Sequence, residues 1–192
     1  MDKKDIKSIT PASINEWHEW LQKYHASEPS VWMIYYKANL GKPTVRYSDA
    51  VDEALCFGWI DSKAQSIDAV SYKQYFCKRK PNSVWSKVNK AKVENLLATG
   101  RMQAEGLKMI EMAKANGMWN KLDDAEALVV PNALQEKLNT HPDALVYFIS
   151  LSRSDKRNLL QWLILAKRDE TINKRMDEIF KCATEGKKPK GF

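Results

Sequence analysis

The stretch VWMIYYK, Val31 to Lys37, constrains the fold more than any other in the chain. It is a short continuous apolar run rich in β-branched and aromatic side chains, the pattern of a central strand covered on both faces. Such a strand needs neighbours. ANLGKP supplies turn chemistry, and TVRY then reads as a short return strand, expected antiparallel. WID, Trp59 to Asp61, is short enough for a second strand or a strand entrance. In SYKQYFCKRK, Tyr72, Gln74 and Phe76 alternate with Lys73, Tyr75 and Cys77, which predicts a strand with one mixed aromatic and cationic face.

Helices are signalled around these strands. Ser13 and Glu16 have capping-box spacing, and Ile14, Trp17, His18 and Leu21 share the face that follows, which makes His18 a packed, hydrogen-bonded histidine. Ser48 can cap the helix DAVDEALCF, with Gly58 placed as its left-handed terminator. Met102, Gly106, Met109, Ile110 and Ala113 form one face of a later helix, where methionines read as core. Between Trp119 and Pro131 the composition turns acidic and loosely patterned, and the remainder is helical. The expected fold is therefore α+β: a small, mostly antiparallel sheet packed with helices over residues 1–120, followed by a C-terminal helical subdomain over 121–192.

KRKPNSVWSKVNKAKVENLLATG carries a basic strand end through Pro81 into a helix whose start is signalled by Ser83 or Ser86 and whose end is signalled by Gly100. Val93, Leu96 and Leu97 define its apolar face. Projected backwards, that face reaches Asn89 and then Ser86, where Arg79 and Lys80 arrive from the strand. A helix N-terminus offers free N–H groups and partial positive charge, so basic side chains beside it make an anion site. The plainer reading makes Ser86 an N-cap, Asn89 a partner for local backbone, and Trp85 a hydrophobic staple.

Charge points the same way. The net charge is +7, and residues 69–114 hold 10 Lys/Arg against 3 Asp/Glu, while residues 1–68 hold 8 against 10. That clustering suits an anionic small molecule, a phosphate-bearing ligand or nucleic acid, and equally a solvated helix face. Cys56, Cys77 and Cys182 are far apart with no CxxC spacing, which fits a reducing cytoplasm and supports neither disulfides nor zinc; His18, His25 and His141 add no metal pattern. MDKKDIKSIT reads as neither signal peptide nor anchor, and no run approaches the roughly 18 to 20 apolar residues of a spanning helix. No metal or cofactor is expected.

The blocks YSDAVDEALCFGWIDS, KRKPNSVWSKVNKAKVENLLATGRM, GLKMIEMAKANGMW and AKRDETINKR resemble, in order, signature blocks of the YdeI/OmpD-associated family, also called bacteriocin-protection or OmdA-like proteins. The resemblance covers roughly residues 13–185. It implies a bacterial, soluble stress-response protein linked to tolerance of cationic antimicrobial peptides, without an established enzymatic activity. Gly58, Trp59, Asp61, Arg79, Ser83, Trp85, Ser86, Asn89 and Arg101 stand where the family pattern has its distinctive non-aliphatic residues. Family members tend to read PR before the tryptophan-serine pair, whereas Lys78, Arg79 and Lys80 precede Pro81 here, so the basic contact is either Arg79 or Lys80.

Three functions follow. The first is a non-enzymatic binding module for an anionic ligand, with Asp61, Arg79, Lys80, Ser83, Trp85, Ser86, Asn89 and Arg101 around the site and Asp61 orienting Arg79 or Arg101. The second is nucleic-acid binding by segment 69–114, with Trp59, Tyr72 and Tyr75 as an aromatic platform. The third is an enzyme using Asp61 or Cys56, for which no partner constellation is complete. A +7 chain repels cationic peptides at long range, so direct sequestration needs an acidic groove such as Asp49, Asp52 and Glu53 would line.

Overall fold

The computed structural model describes residues 6–37 and 44–192; the turn ANLGKP lies outside the described residues. The chain divides into two compact units, Met1–Ser83 with Val88–Met118, and Val84–Lys87 with Trp119–Phe192. The fold is α+β, with one sheet in the first unit and helices throughout the second.

In the first unit, strands β1 (Ser8–Ile9), β2 (Ser30–Tyr36), β3 (Trp59–Ser66) and β4 (Ser71–Lys78) form a sheet of order β1-β2-β4-β3. All pairs are antiparallel except β1 with β2. The apolar run is central as its composition requires, and Val31, Trp32, Met33 and Tyr35 are buried. Pairing of Val31 with Phe76, Met33 with Gln74 and Tyr35 with Tyr72 puts those residues on one face. Trp32, Ile34, Lys73, Tyr75 and Cys77 take the other, so the alternation read in β4 is the alternation found.

Helices α1 (Ile14–Tyr24) and α2 (Tyr47–Cys56) cover the first of these faces. Ser13 Oγ accepts from the Glu16 N–H, and Trp17, fully buried, packs on Phe76 while its indole N–H donates to the Ala50 carbonyl. His18 is hydrogen-bonded as expected, to Glu53, but stays part-exposed.

Three expectations change. Residues 44–46 of the TVRY stretch form no strand: β2 already has β1 and β4 as neighbours, and the Arg46 carbonyl instead accepts from Ala50 N–H to open α2. Ser48 therefore sits inside the first turn, where its oxygens accept from the Lys92 ammonium. β3 runs on to Ser66, well past the short WID segment, because an irregularity between Asp61 and Ala64 resets the register and keeps the exposed residues paired with β4.

Helix α3 (Lys87–Ala98) begins one residue after Ser86 and ends ahead of Gly100, whose φ is +67°. Val93 and Leu96 are buried, but Leu97 is 42% exposed, so its apolar stripe is narrower than the sequence pattern. Helix α4 (Ala104–Ala115) buries Gly106, Ile110 and Ala113.

The second unit comprises α5 (Asp123–Glu126), α6 (Asn132–Asn139), α7 (Pro142–Ser150), α8 (Arg153–Ile164) and α9 (Asp169–Thr184). Its core gathers Leu134, Leu138, Phe148, Leu159, Leu160, Leu163 and Ile179. Ser152 caps α8 by accepting from the Asp155 N–H, as its spacing predicts. Trp85, in the short segment assigned to this unit, is buried and meets Trp119 at 5.0 Å between ring centres.

Candidate functional site

The first unit contains a cavity of about 410 Å³. One wall is the end of α1, His25 and Ala26; a second is the turn Phe57, Gly58 and Trp59 between α2 and β3; a third is Lys78, Arg79 and Pro81. The fourth is one face of α4, Glu105, Lys108, Met109 and Met112, at the spacing of successive helical turns.

Two glycines let α4 form that wall. Gly58 has φ +69°, the left-handed terminator of α2, and a Cβ there would come within 2.9 Å of Met109 Cγ and 3.0 Å of the Glu105 carbonyl oxygen. A Cβ on Gly106 would lie 2.4 Å from the Cys56 carbonyl oxygen and 2.7 Å from that of Leu55. Helix α4 thus rides directly on the C-terminal end of α2, and the Gln103 N–H donates to the Cys56 carbonyl at 3.2 Å.

Three polar groups of the lining are held by hydrogen bonds to backbone carbonyls. His25 Nδ1 lies 2.8 Å from the Leu21 carbonyl oxygen, which can only accept, so Nδ1 carries the proton; Nε2 stands 3.6 Å from the Glu105 carboxylate. The Lys78 ammonium donates to the Ala26 carbonyl at 2.6 Å. Arg79 is 5% exposed, and its N–H donates to the Gly58 carbonyl at 2.9 Å. Burial pulls its guanidinium down to about 10, opposed by the nearby charge of Asp61. Lys78, Arg79 and Lys108 line the cavity with a single carboxylate, Glu105, and its apolar side chains include Phe57, Trp59, Pro81, Met109 and Met112. A concave, mostly apolar lining with a few convergent cations is chemically matched to an anion with an apolar portion.

Among the residues expected from sequence, Trp59 and Arg79 line this cavity. Asp61 does not: its carboxylate accepts from the Tyr47 hydroxyl at 2.5 Å and from Gln74 Nε2 at 3.0 Å. Burial and that bond raise the Tyr47 pKa. Arg101 is committed elsewhere as well, donating at 2.8 Å to Glu53, whose other oxygen lies 2.6 Å from His18 Nδ1. Lys80 and Ser83 join in a local turn, Ser83 N–H to Lys80 carbonyl, outside the lining. Asn89 belongs to α3 in the first unit, whereas Trp85 and Ser86 belong to the second.

The expected aromatic platform is not one surface. Trp59 is 1% exposed, Tyr72 stacks on Tyr35 at 5.1 Å on the helix-covered face, and Tyr75 points to the opposite face. Within the basic segment 69–114, Arg79 is buried, Lys92 meets Asp52 and Arg101 meets Glu53. The sequence reading missed His25, Lys108 and Glu105. Glu105 and Lys108 do share a helical face with Met109 and Met112, but nothing local says that this face meets the turn after α2.

Among the described residues no group of three His, Cys, Asp or Glu side chains could hold a metal ion, and no helix is long and apolar enough to cross a membrane.

Fold and cavity together define an α+β protein with a cavity in its sheet-bearing unit and a helical unit after it. The chain belongs to the family described as Domain of unknown function (DUF8412), whose model matches residues 9–109. Residues 127–186 match the model of the family Bacteriocin-protection, YdeI or OmpD-Associated, the family that the sequence blocks resemble. No curated protein and no solved structure matches the chain. Of the four blocks, AKRDETINKR falls inside the second match, while YSDAVDEALCFGWIDS and the basic block fall inside the first.

Proposed function

We propose that the protein is a non-enzymatic binding module of bacterial stress tolerance, of the bacteriocin-protection type and cytoplasmic, and that it binds a small anion with an aromatic or apolar portion in the cavity walled by α4. The observation that carries this reading is the meeting of a buried arginine, Arg79, with Lys78, Lys108 and an aromatic-methionine lining in one concavity. The absence of catalysis is supported by Asp61, whose carboxylate is held by Tyr47 and Gln74, and by Cys56, whose buried thiol is pushed up to about 12. Protection is indirect in this reading. Asp49, Asp52 and Glu53 are matched by Arg46, Lys92 and Arg101, so they do not line an open acidic groove for a cationic peptide.

Isothermal titration with inorganic phosphate, adenosine monophosphate and an aromatic carboxylate tests the proposal. The two aromatic anions are expected to bind more tightly than phosphate, and Lys108→Ala to weaken them about tenfold, the loss of one charge-assisted contact. Loss with Ser86→Ala but not with Lys108→Ala would move the site to the start of α3. No binding of any probe at millimolar concentration, or stoichiometric capture of a polymyxin-like peptide, would overturn the reading.

A further inference from the structure

His25 and Glu105 come from two walls of the cavity and form an arrangement that binding of a simple anion leaves unused. The His25 ring donates from Nδ1 to the Leu21 carbonyl, so in the neutral imidazole Nε2 is an acceptor. That acceptor faces the Glu105 carboxylate at 3.6 Å, a separation too long for a hydrogen bond. In this form two acceptors stand side by side, and a donor that reaches both relieves them. Lys108 lies three residues along α4, at ion-pair spacing from Glu105, yet the carboxylate is turned to His25. The Glu105 side chain is 49% exposed, so the pair is open to a ligand.

We propose that the cavity takes a zwitterion, a free α-amino acid with an aromatic side chain: its ammonium bridges Glu105 and His25 Nε2, its carboxylate meets Lys78 and Lys108, and its ring lies on Met109 and Met112. The inference rests on the anion-binding reading of this cavity and adds a second charge to the ligand. One ammonium nitrogen carries three donors and can stand about 2.8 Å from each of two acceptors that are 3.6 Å apart. A ligand with a negative charge alone gains the two lysines but is repelled by Glu105, and an ammonium group turns that repulsion into a contact. Lys78 gives one N–H to the Ala26 carbonyl and keeps two for a ligand, while Arg79, buried in the same lining, adds to the positive field. Met109 and Met112 keep exposed surface where Phe57 and Trp59 are buried, so the ligand ring meets thioethers, which adapt to its shape and contact aromatic rings favourably. At about 410 Å³ the cavity is near the small end of the roughly 300–1,000 Å³ of ligand pockets, which suits one amino acid better than a peptide.

The test is isothermal titration of the full-length protein with three probes that differ by one charge: L-phenylalanine, 3-phenylpropanoate, which lacks the ammonium, and 2-phenylethylamine, which lacks the carboxylate. L-Phenylalanine is expected to bind at least about tenfold more tightly than either, the worth of one charge-assisted contact. Glu105→Gln should weaken phenylalanine about tenfold and strengthen 3-phenylpropanoate about twofold, opposite shifts that a merely structural role for Glu105 does not produce. His25→Asn keeps a donor for the Leu21 carbonyl but takes the Nε2 acceptor away, and should narrow the gap between phenylalanine and 3-phenylpropanoate about fivefold. Circular dichroism confirms that each variant is folded. If 3-phenylpropanoate binds as tightly as phenylalanine, or if Glu105→Gln shifts the two in the same direction, the zwitterion is overturned and the anion reading stands. Binding of 2-phenylethylamine as tight as that of phenylalanine overturns both, as does silence from all three probes at millimolar concentration.

Discussion

At the residue scale Arg79 stands out, because it carries an energetic cost that a purely structural residue would shed. Its guanidinium is drawn down to about 10 by burial. A cation whose folded pKa lies below its unfolded value holds its proton less tightly in the folded chain. Below pH 10, where both states are protonated, the penalty on folding stands in full, and it is relieved only as pH rises through 10 toward the ordinary arginine range. Asp61 offsets part of it from the helix-covered face. An apolar side chain of similar length removes the penalty together with the charge. Arg79→Met is accordingly expected to leave the urea midpoint at pH 7 unchanged or to raise stability by up to about 1–2 kcal/mol, while binding of an aromatic anion falls at least tenfold. A variant clearly less stable than the parent, with anion binding intact, would make Arg79 a packing residue and empty the cavity of its main cation.

At the scale of elements the decisive contact is α4 on the end of α2, and the two kinds of glycine in the chain separate its effect from ordinary backbone cost. At Gly106 an added Cβ meets the backbone carbonyls of Cys56 and Leu55, which cannot rotate away. At Gly100 it meets nothing within 4 Å, and only the left-handed φ of +67° opposes it. Gly106→Ala should therefore destabilise by about 2–3 kcal/mol through overpacking, and Gly100→Ala by about 1 kcal/mol, as read by urea denaturation; equal costs would mean that α4 yields freely. The same contact explains what was legible. The run Val31–Tyr36, the alternation in β4, the Ser13 cap and the Gly58 terminator are local patterns, and each appears where its pattern puts it. TVRY reads as a strand only until β4 takes the edge of β2, which is a long-range choice. Trp59 and Arg79 were recoverable because they lie in a distinctive motif; His25 and Lys108 became site residues only when α4 docked on the turn after α2. Asp61 and Arg101 carried strong charge signals, but their partners Tyr47 and Glu53 are 14 and 48 residues away.

At the scale of the whole molecule the question is where the chain can be divided. The acidic, loosely patterned stretch after Trp119 suggests a border at 120/121, and the core of the helical unit, from Ala125 to Ala183, lies wholly beyond it. Yet the segment Val84–Lys87 and Trp119 belong to that same unit, so a cut at 120/121 leaves Trp85 and Trp119 on the wrong fragment. The two halves should then behave differently. Residues 121–192 keep a complete apolar cluster and are expected to give a helical circular dichroism spectrum and one cooperative thermal transition. Residues 1–120 keep the sheet and the cavity, so anion binding should survive. The large indole of Trp85, 2% exposed in the intact chain, loses the unit it belongs to. Fragment 1–120 should consequently bind a hydrophobic dye that the full chain does not, and Trp85→Ser in that fragment should abolish the extra signal. If 121–192 is unfolded in isolation while the dye stays dark on 1–120, the segment around Trp85 is not a strap for the helical unit, and the two units fold as one.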